Sequence, residues 1–243
     1  MRGVGLFFLM FVISLWGLQK QALAQSRACP PYSTPVKLNF TTKNVNTTYN
    51  NDLNVTGIQN VMRQRGQIVA GRHQRALGLT LSQLGFGLTG KTYANPVPGG
   101  YCVYVESITA DFGYREMNVY IASEYRPQTC EYRVITDHEN EHVAINRTAV
   151  REYAPRIRQE LERQLASMQP RFTADAQVSS DRKIKDLHEK LDPLMDEMER
   201  VMSQRNGVID NDNNYAAISE MCKNWDQGNV WPVVNPPAKK PAN

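Results

Sequence analysis

Two histidines four residues apart, with a glutamate directly after the first, constrain this chain more than any other feature of its sequence. They are His138, Glu139 and His142, in the segment His-Glu-Asn-Glu-His. Residues four apart lie on one face of an α-helix, so both imidazoles can bind the same zinc ion. Glu139 is rotated by about 100° from His138 and lies beside that ion. The segment therefore predicts a zinc site with Glu139 as the catalytic general base.

The first 24 residues have the composition of a secretory signal peptide. Arg2 is followed by an uncharged, mostly apolar run at residues 4–18, and the segment ends in Ala-Leu-Ala at residues 22–24. A charged start, an apolar stretch and an A-x-A site predict cleavage after Ala24. The mature protein is then expected to be secreted or periplasmic, with no stable membrane span after signal cleavage.

The overall charge gives no reason to expect a nucleic-acid partner. The formal net charge of the whole sequence is +4. Removal of Arg2 and Lys20 with a signal peptide that contains no acidic residue lowers this charge to about +2. So small a charge does not supply the electrostatic attraction that nucleic acids require. We expect a peptide or protein substrate instead, on the strength of the metal motif.

All four cysteines lie beyond the expected cleavage site. They are Cys29, Cys102, Cys130 and Cys222. Because an exported protein folds in an oxidising compartment, an even number of cysteines predicts two disulfide bonds. Four cysteines allow three pairings, and the sequence does not choose between them. No two of them form a C-x-x-C pair, so disulfides are favoured over zinc binding by thiolates.

The part of the chain before the motif, residues 36–125, has the patterns of β-strands. Some segments alternate apolar with polar or small residues, and others are rich in β-branched and aromatic residues. The candidate strands are residues 36–40, 77–84, 101–105 and 117–121. With a turn expected at residues 111–114, these segments predict an antiparallel meander.

Residues 85–92 match the nucleotide-binding pattern G-x-x-x-x-G-K-[ST] letter for letter. A working phosphate site needs a helix that begins at Lys91 and Thr92. Pro96, Pro98 and two following glycines make such a helix unfavourable. We therefore predict a glycine-rich loop here and no nucleotide site.

The sequence that contains the motif has a helical pattern. Apolar side chains recur every three or four residues from Ile145 to Met168. The pattern continues across Pro155, so we predict one long helix, or two nearly collinear ones kinked at the proline. This helix is expected to start near residue 131 and to end before Pro170.

A second helix is predicted at residues 181–205, after a loop at residues 174–180. Its apolar residues also follow the helical period, and Asn206-Gly207 would form its C-terminal cap. Two such helices joined by a short loop are expected to pack as an antiparallel hairpin.

Together these elements predict a single α+β domain at residues 25–231. A strand-rich part at residues 36–125 would form a small antiparallel sheet packed on the long helix. A helical part at residues 131–225 would contain that helix and the antiparallel hairpin. Residues 232–243, rich in Pro, Lys and Asn, are predicted to be a disordered tail.

The sequence around the motif resembles a bacterial family of unknown function that is described as predicted secreted zinc-dependent proteases. The resemblance rests on residues 136–146, on the long Arg/Glu-rich helix without a glycine turn that follows them, and on the preceding strands and signal peptide. It extends over residues 38–225 and is specific around the motif. It implies a zincin-like fold, zinc as the cofactor, His138 and His142 as ligands, and Glu139 as the base.

Zinc needs a third protein ligand, and the spacing rules out one common pattern for it. Metzincins have Gly and His where this chain has Ile145 and Thr148. A downstream glutamate, as in thermolysin-like enzymes, would be Glu160 or Glu162. On a continuous helix, Glu162 lies about 30 Å from His142, which is too far for a shared ion. These glutamates could serve only if Pro155 broke the helix into a turn, which the continuous apolar pattern disfavours.

The third ligand is therefore expected on the segment that folds back along the long helix. In an antiparallel hairpin, the residues facing position 140 lie near position 210. The candidates are Asp210, Asp212 and Glu220, with Glu197 and Glu199 as alternatives for a tighter turn.

Two functions of different kinds agree with this sequence. The first is a secreted or periplasmic zinc metallopeptidase that hydrolyses peptide bonds, with an extended peptide added to the edge of the strand at residues 117–125. The alternative is a catalytically inactive, envelope-associated binding or scaffold protein on a zincin-like fold. In that case the His-Glu-Asn-Glu-His segment would be an ordinary charged helix face.

Overall fold

A computed structural model describes residues 28–66 and 76–225, which form one mixed β-sheet with helices packed on it. The signal peptide and the disordered tail predicted above lie outside these described residues. The strands are β1 (Lys37–Lys43), β2 (Thr48–Asn50), β3 (Gly78–Val97), β4 (Gly100–Ile121) and β5 (Arg171–Thr173). The helices are α1 (Val55–Gln64), α2 (Cys130–Ala166), α3 (Ala176–Glu189), α4 (Asp192–Ile209) and α5 (Asp212–Glu220).

Strand β4 is the centre of the sheet, because each of the other four strands pairs with it. Strand β3 pairs antiparallel with β4 from one end to the other. Strands β1 and β2 pair in parallel with residues 107–113 and 118–120 of β4. Strand β5 pairs antiparallel with residues 101–103. Since β3 occupies one edge of β4, the other three strands follow one another along the opposite edge.

The predicted antiparallel sheet is wrong, because β1 and β2 run parallel to β4. Both strands reach β4 through a long connection that contains α1 and β3, and not through a tight turn. A long connection permits either strand direction, and the alternation of side chains along a strand does not record which one is used. The turn predicted at residues 111–114 is wrong as well, since β4 continues through it.

The predicted glycine-rich loop at residues 85–92 is also wrong. These residues lie within β3 and pair with β4. No helix begins at Lys91, because the strand continues to Val97. The segment therefore lacks the helix N-terminus on which a phosphate site of this type depends.

The predicted long helix is confirmed by α2, which extends from Cys130 to Ala166. The side chain of Thr129 accepts a hydrogen bond from the backbone N–H of Tyr132 and caps its N-terminus. Pro155 lies inside the helix and removes one donor, to the carbonyl of Arg151. Arg151 is exposed, so water can donate a hydrogen bond to that carbonyl.

The second predicted helix is divided into two. Helix α3 begins earlier than predicted and is capped by the Asp175 side chain. The helix is interrupted at residues 190–191, and α4 begins after them. Helix α4 continues to Ile209, so Gly207 lies inside it and does not form its cap. Contacts between α2 and α4 pair His142 with Asn206 and Arg156 with Glu197, which makes the two helices antiparallel.

The main hydrophobic core lies between the sheet and α2, with α1 and α4 completing it. The sheet contributes Phe112 and Val119, and α2 contributes Ile135 and Ile157, all of them fully buried. Apolar burial of this kind is the largest favourable term in folding. Within the described residues, no helix combines the length and apolarity needed to cross a membrane.

Two disulfide bonds are present, which confirms the prediction and selects one of the three pairings. Cys29–Cys102 joins the segment before β1 to β4. Cys130–Cys222 joins the first residue of α2 to the segment just after α5. Two closed disulfides agree with folding in an oxidising compartment.

We expect the change Gly113→Ala to destabilise the fold. Gly113 has φ of 140°, and a Cβ there would lie 2.1 Å from the carbonyl oxygen of Lys43 on β1. Strain and lost pairing between β1 and β4 should lower the free energy of unfolding by about 2 kcal/mol or more, as measured by urea denaturation.

The control is Gly207→Ala, because a Cβ at that helical position would meet nothing within 4 Å beyond its chain neighbours and the backbone of its own helix. It should raise the free energy of unfolding by about 0.5–1 kcal/mol. Equal stability of the two variants would contradict the packing described for Gly113.

Candidate metal centre

Helix α2 holds the two motif histidines close together, on the face that meets α4. The side chain of His138 is 4% exposed and that of His142 is 14% exposed. Their ring centroids are 4.9 Å apart. Imidazoles with so little exposure have limited access to water, so their nitrogens need partners within the protein or a metal ion.

The partner is Asp210, which immediately follows α4. Its Oδ1 atom lies 3.2 Å from Nε2 of His138 and 3.2 Å from Nε2 of His142. Of the three predicted candidates for the third ligand, Asp210 is the one that joins the two histidines in this group. Asp212 and Glu220 are exposed on α5.

The remaining acidic candidates lie elsewhere. Glu197 forms an ion pair with Arg156 and accepts a hydrogen bond from Tyr153. Glu160 and Glu162 pair with arginines of α2 itself.

His138, His142 and Asp210 form a group that could hold a metal ion. The three ligand atoms all lie within 4.8 Å of one another. Tetrahedral zinc, with ligands at about 2.0–2.1 Å, has neighbouring ligand atoms about 3.3 Å apart. The two distances of 3.2 Å from Asp210 agree with that value. Two imidazoles and a carboxylate are also a donor set of catalytic zinc sites, which keep the fourth position open.

Asn206 orients one of the candidate ligands. Its side-chain oxygen lies 2.8 Å from Nδ1 of His142. Because an amide oxygen can only accept, Nδ1 carries the proton and the Nε2 lone pair of the neutral ring is left for a metal. Asn206 precedes Asp210 by four residues, so the last turn of α4 presents both groups to α2.

Strand β3 holds the carboxylate of Glu139 beside the three-residue group. The Thr80 hydroxyl donates a hydrogen bond of 2.8 Å to Oε2 of Glu139. On the same face of β3, a Cβ at Gly78 would lie 2.5 Å from Oε1. Only glycine leaves room for the carboxylate there. Glu139 is 4% exposed and is therefore fixed in a dry position.

Burial raises the pKa of the Glu139 carboxyl. Positive charge on His142 and His138 and the hydrogen bond from Thr80 offset only part of this effect. A carboxylate with a raised pKa accepts a proton more readily near neutral pH, as a general base must.

The electrostatics of His142 and Asp210 are coupled. Burial lowers the pKa of His142, but its hydrogen bond to Asp210 and the charges of Glu139 and Asp210 outweigh burial and raise the pKa to about 9. Burial raises the pKa of Asp210, yet hydrogen bonds from His138 and His142 hold it well below its usual range. In the metal-free protein the two side chains therefore form an ion pair, and a metal ion must displace the proton of His142.

Four residues of this site were not predicted from the sequence: Gly78, Thr80, Asn206 and Tyr215. The alternation at residues 77–84 contained a signal, because its small and hydroxyl residues are those that face the polar side of α2. Asn206 was interpreted as part of a helix cap, which hid its spacing of four from Asp210. No local pattern pointed to Tyr215, whose hydroxyl donates a hydrogen bond to Oδ1 of Asp210.

The proposed peptide edge at residues 117–125 is wrong. Residues 118–120 of β4 pair with β2 on one side and with β3 on the other. Their backbone groups are already used, so a peptide cannot add there. Among the described strands, β3 pairs with β4 alone.

Comparison with known proteins identified no relative. No family model, no curated protein and no solved structure matches the chain significantly.

We expect Asp210→Ala to weaken zinc binding by more than about 100-fold, because loss of a direct ligand should exceed the effect of losing a residue that only orients one. Asp212→Ala and Glu220→Ala are the matched controls and should leave the affinity within about twofold. Competition with a chromophoric chelator measures all three affinities. Loss of zinc in Asp212→Ala, with Asp210→Ala unaffected, would contradict the assignment.

In the metal-free protein, we expect His142 to stay protonated up to about pH 9. The folded-state pKa lies above the ordinary value of about 6.5. Its contribution to stability is therefore complete below that value and is lost as the pH rises through about 9. NMR titration of the imidazole measures the pKa, and Asp210→Asn should lower it. An unchanged pKa in that variant would show that Asp210 does not hold the proton.

Proposed function

We propose that this protein is a zinc-dependent metallopeptidase. One observation supports the proposal above all: His138, His142 and Asp210 converge from two helices, while the buried carboxylate of Glu139 is held beside them. A hydrolytic zinc site needs three ligands and a separate general base. Residues 138–142 of α2 and Asp210, which follows α4, would together supply both.

The two imidazoles and the Asp210 carboxylate would hold the ion. A bound zinc ion would lower the pKa of water toward about 7 and polarise a substrate carbonyl. Glu139 would accept the proton of the attacking water at a carboxylate oxygen and later give it to the leaving amine. The Thr80 hydroxyl would keep that carboxylate in place, and Asn206 would keep Nε2 of His142 directed at the ion.

Access to the site is from the side of Asp210. Its side chain is 38% exposed, whereas His138 and Glu139 are buried. A substrate carbonyl would approach from solvent past the carboxylate, and the buried side would exclude bulk water from Glu139.

A peptide substrate is supported by the position of β3. This strand lies directly against Glu139 through Thr80, and within the described ranges no strand pairs with its outer edge. An extended peptide could add to such an edge through backbone hydrogen bonds, with its carbonyls brought toward the site.

We also propose that the protein works outside the cytoplasm. The two disulfide bonds and the apolar, A-x-A-terminated segment at residues 1–24 support this location. Disulfide bonds form and persist mainly in oxidising compartments.

The change Glu139→Gln tests the proposal. It keeps the shape of the side chain but removes the base, so hydrolysis of a mixed peptide library should fall by about 10²–10⁴-fold. Zinc content, measured by elemental analysis, should remain about one ion per chain.

Glu141→Gln, an exposed change on the same helix, is the control and should retain activity. A wild-type protein that binds zinc without hydrolysing any peptide would favour the alternative, a binding or scaffold protein. Hydrolysis that survives Glu139→Gln would disprove the role of the base.

A further inference from the structure

The Oδ1 atom of Asp210 has a third neighbour besides the two histidines. The hydroxyl of Tyr215 donates a hydrogen bond of 2.7 Å to this same oxygen. The ring of Tyr215 lies with its centroid 5.6 Å from that of His138. One tyrosine therefore contacts two of the three candidate ligands.

The corner between α4 and α5 places Tyr215 in this position. The Asn211 side chain caps α5 by accepting a hydrogen bond of 2.9 Å from the backbone N–H of Asn214. The Asn214 side chain in turn donates a bond of 2.7 Å to the carbonyl of Ile209, the last residue of α4. These bonds fold the chain tightly around Asp210 and bring Tyr215, in the second turn of α5, back over it.

The other end of α5 is also held. Cys222 lies two residues after the helix and is joined to Cys130, the first residue of α2. The helix that contains Tyr215 is thus tied to the helix that contains the histidines. The tyrosine ring and its hydroxyl approach the site from a fixed direction.

Asp210 needs such a support, because it is the least restrained of the three ligands. The histidines lie within α2 and their side chains are 4% and 14% exposed, whereas Asp210 follows the end of α4 and its side chain is 38% exposed. A carboxylate in that position can rotate toward water. A hydrogen bond to a ligand oxygen limits this rotation and commonly raises metal affinity about 10–100-fold.

We propose that Tyr215 is a positioning residue of the metal site. Its hydroxyl holds the Asp210 carboxylate with Oδ1 directed at both Nε2 atoms, and its ring packs beside the ring of His138. This role rests on the proposed zinc site and adds to it a residue that sets the affinity for the ion without binding it.

The chain offers a matched control for the loss of a tyrosine hydroxyl. Tyr153 on α2 donates a hydrogen bond of 3.1 Å to Oε1 of Glu197 on α4. This bond joins a tyrosine to a carboxylate in the same helical layer but outside the metal site. Tyr153→Phe therefore reports the general cost of removing such a bond.

The test compares Tyr215→Phe, Tyr153→Phe and the wild-type protein by competition for zinc with a chromophoric chelator. We expect Tyr215→Phe to bind zinc about 10–100-fold more weakly and Tyr153→Phe to stay within about twofold of the wild type. Thermal unfolding of the metal-free proteins should show no larger loss for Tyr215→Phe than for Tyr153→Phe. At saturating zinc, the peptidase activity of Tyr215→Phe should return to the wild-type value.

Three results would overturn this role. They are equal zinc affinity in Tyr215→Phe and the wild type, an equal loss of affinity in both phenylalanine variants, and low activity of Tyr215→Phe at full zinc occupancy. The last would instead assign the hydroxyl to the substrate. A wild-type chain that binds no zinc would be a distinct outcome, because it would remove the proposed function itself together with this role.

Discussion

The packing of α2 between β3 and α4 fixes every residue of the candidate site. Its apolar residues, such as Ile135 and Ile157, are buried in the core, and this burial supplies the free energy that holds the helix in place. The polar contacts of the site cannot hold the helix in place. They are few, and ion pairs that are partly exposed, as at Asp210, contribute about 1 kcal/mol or less to stability. Packing of the hydrophobic core thus determines the distances between the polar side chains of the site.

One consequence of this packing is a carboxylate in an unfavourable environment. Burial raises the pKa of Glu139, and its neighbours compensate only in part. An apolar residue at this position would avoid that cost. Local conflicts of this kind concentrate at functional sites. The donation from Thr80 and the lack of a side chain at Gly78 show that β3 is adapted to keep the carboxylate there.

The sequence predicts the local features well and the long-range ones poorly. The helical period across Pro155 and the spacing of His138 and His142 are properties of a single segment, so α2 and its motif could be predicted. The parallel pairing of β1 with β4 depends on the path of the chain between them, and the strand pattern does not contain it. The choice of Asp210 over Asp212 depends on where α4 ends. Helix α4 ends at Ile209 and not at the predicted residue 205, so Asp210 is the residue that follows it.

The order in which the chain is synthesised bears on when the site can form. The hydrogen bond between His142 and Asn206 spans 64 residues, and the Cys130–Cys222 bond spans 92. Both histidines therefore leave the ribosome well before the residues that complete their surroundings. A nascent or truncated chain that ends before α4 would contain the whole His-Glu-Asn-Glu-His motif without Asp210. Assembly of the site thus requires the C-terminal helices to dock on α2.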